Sequence, residues 1–176
     1  HAFCEKWVRE KYPHYLLVPQ CPPEQRWGGS SKDWQSLYQP TPTVPGRMVL
    51  ELIEKTLREH PDIDPKRVYI TGLSMGGFGT FDLLTRRPDL FAAGLPLCGG
   101  GDPKFADRIK SIPIWVFHGS LDEAVLPRCS RQIVDALEKA GGKVKYTEYS
   151  TMQHGIWDVT YYNPAVLEWL FAQRRP

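Results

Sequence analysis

Short β-branched or apolar runs alternate with helix-forming stretches along almost the whole chain. That alternation predicts an α/β protein with a largely parallel sheet. Two observations carry the expectation. Strand-length apolar or β-branched runs occur at residues 15–18 (YLLV), 68–71 (VYIT), 92–98 (AAGLPLC) and 113–117 (PIWVF), and a further strand reads at 143–149 (KVKYTEY). Most of them are separated by stretches with helical periodicity, long enough to cross over between parallel neighbours. With 176 residues, 41% of them hydrophobic, the chain can build one domain around a substantial core.

Residues 3–11 have helical polarity and end before Pro13. Residues 15–18, closed by Pro19, read as a buried strand. From Gln20 to Pro45 the composition turns to Pro, Gly, Ser, Gln and Trp. Loops of this length tend to be functional. Trp27, Trp34 and Tyr38 are too apolar for a linker. They are expected either to fold over an active-site face or to pack on the domain's flank.

Residues 46–60 form an amphipathic helix with Val49, Leu52, Ile53 and Leu57 on one stripe. Pro61 and the Asp62-Ile63-Asp64-Pro65 turn lead into the strand at Val68. Residues 78–87 give the next helix and Pro88 closes it. The strand at 92–98 is followed by Gly99-Gly100-Gly101-Asp102 and a short helix around 104–109. After the strand at 113–117 come a helix at 128–140, a Gly141-Gly142 turn and the strand at 143–149. Asn163-Pro164 is a cap and first-turn pair opening a closing helix through Leu167, Leu170 and Phe171.

Between the strand at 68–71 and the helix that follows lies Gly72-Leu73-Ser74-Met75-Gly76, a G-x-S-x-G pentad in a strand–turn–helix setting. Glycines two before and two after the serine would let the strand end and the helix start approach closely. Ser74 would then stand above the strand end, beside the positive end of the helix. A glycine-flanked serine can also be an ordinary helix cap, so its partners decide.

Ligands of parallel sheets bind at the carboxyl ends of the strands. After PIWVF comes His118-Gly119-Ser120-Leu121-Asp122-Glu123, and after KVKYTEY comes Ser150-Thr151-Met152-Gln153-His154-Gly155. The order Ser74, Asp122, His154 suits a nucleophile, an orienting acid and a base. His118 is a rival base, although its place before Gly119 at a strand exit suits a packed, hydrogen-bonded histidine. Glu123 and Asp102 are rival acids; Asp102 follows the wrong strand, and Glu123 faces away if Asp122 faces in. The Met75 N–H, at the start of the helix after Ser74, is the expected oxyanion donor.

A net charge of +2, from 22 basic and 20 acidic residues, gives no electrostatic case for nucleic acid or a membrane as partner. No apolar run approaches bilayer length, so the chain reads as soluble. Cys4, Cys21, Cys98 and Cys129 contain no C-x-x-C pair, which argues against a structural zinc site and leaves thiols or disulfides open. The first residue is not Met, and the compartment stays open, secreted and periplasmic locations included.

Five segments together resemble the α/β-hydrolase superfamily: 18–27 (VPQCPPEQRW), 70–93, 97–102 (LCGGGD), 112–125 (IPIWVFHGSLDEAV) and 149–158. More narrowly they resemble bacterial carboxylesterases related to feruloyl and polyhydroxybutyrate-depolymerase-type esterases. The resemblance implies a three-layer α/β/α sandwich. It also implies a serine esterase acting on short-chain or aromatic esters through an acyl-enzyme, without metal or organic cofactor. Trp27 and Trp157 are candidates to line the acyl or aryl pocket, with packing at the edge of the core as the other role open to them. A peptidase of prolyl-oligopeptidase type is the enzymatic alternative.

The superfamily also carries a strand and a His-Gly-rich turn ahead of the segment matching 15–18. That turn supplies the second oxyanion donor, and its strand lies beside the nucleophile strand. The resemblance therefore implies that residues 1–176 form a single catalytic domain matching the carboxyl-terminal two-thirds of the fold. An amino-terminal companion segment or chain is expected to complete the sheet. The alternatives are a sheet that closes up with an incomplete oxyanion hole, or a catalytically silent fragment.

Overall fold

The structure, a computed structural model, describes residues 2–28 and 38–176. Its centre is a four-stranded sheet, β1 (Tyr69–Leu73), β2 (Ala93–Leu97), β3 (Ile114–Gly119) and β4 (Val144–Tyr149), arranged in chain order with every pair parallel. Helices α1 (Lys6–Lys11), α2 (Val44–Glu59), α3 (Met75–Arg86), α4 (Ala106–Ile109), α5 (Arg128–Lys139), α6 (Trp157–Tyr161) and α7 (Pro164–Ala172) complete the layers.

Period-2 alternation divides the core between the two faces of the sheet. On one face Ala93, Leu95, Leu97 and Phe117 pack with Phe3, Val8, Ile156, Leu167 and Leu170, covered by α1, α6 and α7. On the other, Ile114 and Val116 pack with Phe81, Leu84, Ile109, Ile133 and Leu137, covered by α3, α4 and α5. This is a three-layer α/β/α sandwich, and β2, between two neighbours and two helical layers, is buried along its whole length.

The caps explain several boundaries. Thr43 Oγ1 accepts the Gly46 N–H at 3.1 Å, so α2 opens two residues earlier than its apolar stripe suggests. Asn163 Oδ1 accepts the Ala165 N–H at 3.0 Å and opens α7 as the Asn-Pro pair predicts. The apolar stripe of α2 runs through Val49, Leu50, Ile53 and Leu57, while Leu52 faces outward. The expected stripe was thus one position off at Leu52.

The strand expected at residues 15–18 is not one. This segment has no strand conformation and Tyr15, Leu16, Leu17 and Val18 are exposed, Val18 at 74%. The reason is pairing. A strand is stable only when its backbone groups find a ladder, and no described residue offers one here. Pro13 and Pro19 also withhold donors at both ends. The Tyr15 side chain instead donates to Asp62 Oδ2 at 3.0 Å and tilts against His60. Among the described residues β1 therefore pairs on one side only, with β2. Trp34 lies outside the described residues.

Candidate active site

Ser74 follows β1 and caps α3 with φ 55° and ψ −119°, left-handed backbone that a residue with a Cβ seldom adopts. Its N–H donates to Leu97 O at 2.9 Å, and its carbonyl accepts the N–H groups of Gly77 and Phe78. The serine is thus clamped between the end of β2 and the first turn of α3. A Cβ at Gly72 would overlap the Gly76 backbone, so Gly72 must lack one; a Cβ at Gly76 would meet nothing. The steric need in the pentad rests on Gly72 alone, a correction to the reading that both glycines require it. Met75 is the first residue of α3, and its N–H has no intrahelical acceptor.

The turn after β3 and the loop after β4 are stitched together. The Ser120 N–H donates to Tyr149 O and the Leu121 N–H to Met152 O, each at 3.0 Å, and Ser120 Oγ donates to Ser150 O at 2.6 Å. Gly119 lets the end of β3 and the loop after β4 come this close, since a Cβ there would overlap the Gln153 carbonyl. The result places Asp122 Oδ2 2.7 Å from His154 Nδ1. Asp122 Oδ1 accepts the N–H groups of Ala124 and Val125 at 2.9 Å each. Asp122 is buried; burial alone would raise its pKa, but the bonds from His154 and Val125 outweigh burial and hold the carboxyl below its ordinary range. His154 is partly exposed, and its carbonyl accepts from the Ile156 N–H and the Cys98 thiol.

Ser74, Asp122 and His154 all sit at the carboxyl end of the sheet, after β1, β3 and β4. The structure pairs Asp122 with His154; among the described residues no hydrogen bond links His154 to the Ser74 hydroxyl. Trp157, the first residue of α6, stands edge-on to His154 with centroids 6.0 Å apart. A hollow beside it is lined by Ala2, Leu73, Trp157, Asp158, Tyr161 and Tyr162. Trp27 is seated elsewhere, against α3, where a Cβ on Gly79 would lie 2.5 Å from the Trp27 Cβ. Tyr38 is on that flank too, over Phe105 and under the Arg86 guanidinium.

Other residues complete the surroundings. His118, a rival for the base in the sequence, is fully buried and hydrogen-bonded at both ring nitrogens. Cys98, His118 and Asp122 lie close enough to suggest a metal cluster. Their atoms are already committed to hydrogen bonds, and burial pushes the Cys98 thiol up to about 12, which disfavours the thiolate a metal needs. All four cysteines are free thiols. The sequence missed α6, whose Tyr161 hydroxyl lies 2.8 Å from Thr71 Oγ1; only the apolar spacing of Trp157 and Tyr161 hinted at it.

The parallel sheet, its two helical layers and the serine turn define an α/β-hydrolase fold. A family model described as "Prolyl oligopeptidase family" matches residues 28–115, half of the chain, and the chain belongs to that family. It is 32% identical over 89 residues to poly(3-hydroxyalkanoate) depolymerase C of Paucimonas lemoignei, covering 49% of this chain and 20% of that protein. It is 27% identical over 150 residues to an Arabidopsis thaliana protein named "Probable carboxylesterase SOBER1-like", covering 82% of this chain and 53% of the relative. Among solved structures it resembles a thermostable esterase with a TM-score of 0.91 and 41% identity, over 99% of this chain and 48% of that one. The chain thus spans about half or less of the length of these relatives.

Proposed function

We propose that the protein is a serine carboxylesterase in which Ser74, His154 and Asp122 form the catalytic triad. The observation that carries this reading is the 2.7 Å Asp122–His154 pair, set at the same end of the sheet as a serine held in strained backbone. In this mechanism Ser74 Oγ attacks the ester carbonyl carbon while His154 Nε2 takes the hydroxyl proton. Asp122 holds the imidazole by its Nδ1–H and offsets the positive charge that develops. The oxyanion forms beside the Met75 N–H and the positive end of α3; one such donor contributes about 3 kcal/mol to transition-state stabilisation. The tetrahedral intermediate collapses to an acyl-serine, and His154 returns its proton to the leaving alcohol. Water then repeats the sequence in reverse and frees the acid. The His154–Ser74 hydrogen bond that this chemistry uses commonly tightens only when substrate is bound.

The hollow between Leu73, next to the nucleophile, and Trp157, next to the histidine, supports an apolar or aromatic acyl group as substrate. The names of the relatives favour ester over amide cleavage, whereas the family's name keeps a peptidase as the second reading. A panel of p-nitrophenyl esters, methyl cinnamates and acyl-aminoacyl amides separates the two. Esters are expected to be hydrolysed with kcat/KM at least about tenfold above the amides, and Ser74→Ala is expected to lose about 10⁴-fold or more. Ester hydrolysis that survives Ser74→Ala ends this mechanism.

A further inference from the structure

The mechanism above leaves unused a fully buried ionisable side chain beside the proposed acid: His118, next to last in β3. Its Nδ1 lies 2.7 Å from Ser130 Oγ in α5. Its Nε2 lies 2.8 Å from the Val125 carbonyl oxygen and 3.2 Å from Asp122 Oδ2. A carbonyl and an ionised carboxylate have no proton to give, so Nε2 must carry one. Ser130 on the other side can turn either way, because its hydroxyl is also 2.8 Å from Gly99 O. Burial disfavours the imidazolium, against the raising influence of Val125 and Asp122, and the His118 pKa lies below its ordinary value. The consistent state is a neutral ring with its proton on Nε2 and Ser130 donating to Nδ1.

We propose that His118 is a positioning residue: its Nε2–H, anchored by Val125 O and Ser130, presents a positive hydrogen to Asp122 Oδ2, the same oxygen that accepts the His154 Nδ1–H. This deepens the triad reading and rests on it. Asp122 accepts hydrogen bonds from two backbone N–H groups at Oδ1 and from His154 at Oδ2, and the His118 Nε2–H, bonded to Val125 O, lies 3.2 Å from that same Oδ2. His118 sets both the carboxylate's orientation and how strongly it pulls on His154. The other titratable groups facing this cluster are Cys98 at the end of β2, Cys129 in α5 and Glu148 in β4. Burial raises both thiols and keeps them neutral, while Glu148 is paired with Arg131 at 2.5 Å. Glu148 has no proton to give, and the Cys98 thiol, which also faces Asp122, donates to the His154 carbonyl oxygen.

Removing that donor leaves more charge on Oδ2, strengthens the Asp122–His154 bond and favours the protonated form of the base. His118→Leu in the whole protein is therefore expected to move the acidic limb of kcat/KM upward by about half a pH unit or more. It should lower kcat with little change in KM, and shift the low-field proton resonance of His154 Nδ1–H further downfield. His118→Gln, which restores an N–H near the Nε2 position, is expected to return the limb and the resonance most of the way. A folded His118→Leu with wild-type limb and resonance overturns the proposal. If that variant does not fold, the nitrogen-15 shifts of the His118 ring in the wild type are the second measurement, and they are expected to show the proton on Nε2, where Val125 O and Asp122 Oδ2 accept. A His118 ring protonated at Nδ1 with a bare Nε2 overturns the proposal equally. The resonance needs no turnover, so it tests His118 even if the wild type proves to have no hydrolysis dependent on Ser74 and His154, an outcome that would count against the esterase reading instead.

Discussion

Asp122 has the most constrained surroundings of the proposed triad, and its environment sets a sign for acid stability. Its folded pKa lies below the ordinary value because hydrogen bonds outweigh burial. A carboxyl depressed in this way contributes stability that is present above its unfolded value, near about 3.9, and lost as pH falls through the folded value. Asp122→Asn is therefore expected to be less stable than wild type at neutral pH, with the gap narrowing below about pH 4. It is also expected to lose about 10⁴-fold in kcat, because the amide no longer fixes the histidine tautomer. Urea titrations from pH 3 to pH 7 check the first expectation, and a gap that stays constant across that range contradicts it. At this scale the sequence was informative about position and silent about environment. Successive strand ends marked Asp122 and His154 in order, but that His118 touches the same carboxylate oxygen depends on how the acid turn folds back over α5.

The serine turn shows how much one glycine decides at the scale of an element. The pentad implied two sterically required glycines, yet only at Gly72 would a Cβ strike backbone, that of Gly76, whereas a Cβ on Gly76 would point into open space. Gly72→Ala is expected to destabilise the fold by about 1–3 kcal/mol through overpacking, with activity falling as Ser74 is displaced. Gly76→Ala is expected to fold within about 0.5 kcal/mol of wild type or slightly better, because alanine favours helix over glycine. Thermal midpoints of the two variants decide this; equal losses contradict the geometry. The strands at 68–71, 92–98 and 113–117 were legible because each is rich in apolar or β-branched residues, that at 143–149 because it alternates between a Gly-Gly turn and the next loop, and each finds a partner. Residues 15–18 have the same composition and no partner, and strand identity is a property of pairing rather than of the segment. Leu50 in place of Leu52 on the α2 stripe is a small rotation of the helix that only packing on the sheet could fix.

Over the whole molecule, the four parallel strands bring residues separated by up to 80 positions, Ser74 and His154, to one end of the sheet. The α/β class was readable from alternation alone, and the layering follows from which face each strand residue takes. β1 stands at the edge of the described sheet, paired on one side, and carries the nucleophile at its end. The protein's function thus turns on whether the Asp122–His154 pair acts on Ser74. Fluorophosphonate labelling with peptide mapping asks this directly, since the probe captures a serine only when a base activates it. Covalent label on Ser74, lost in His154→Ala while the fold is retained, is the expected result. A folded protein that takes no label, or takes it on another residue, contradicts the triad.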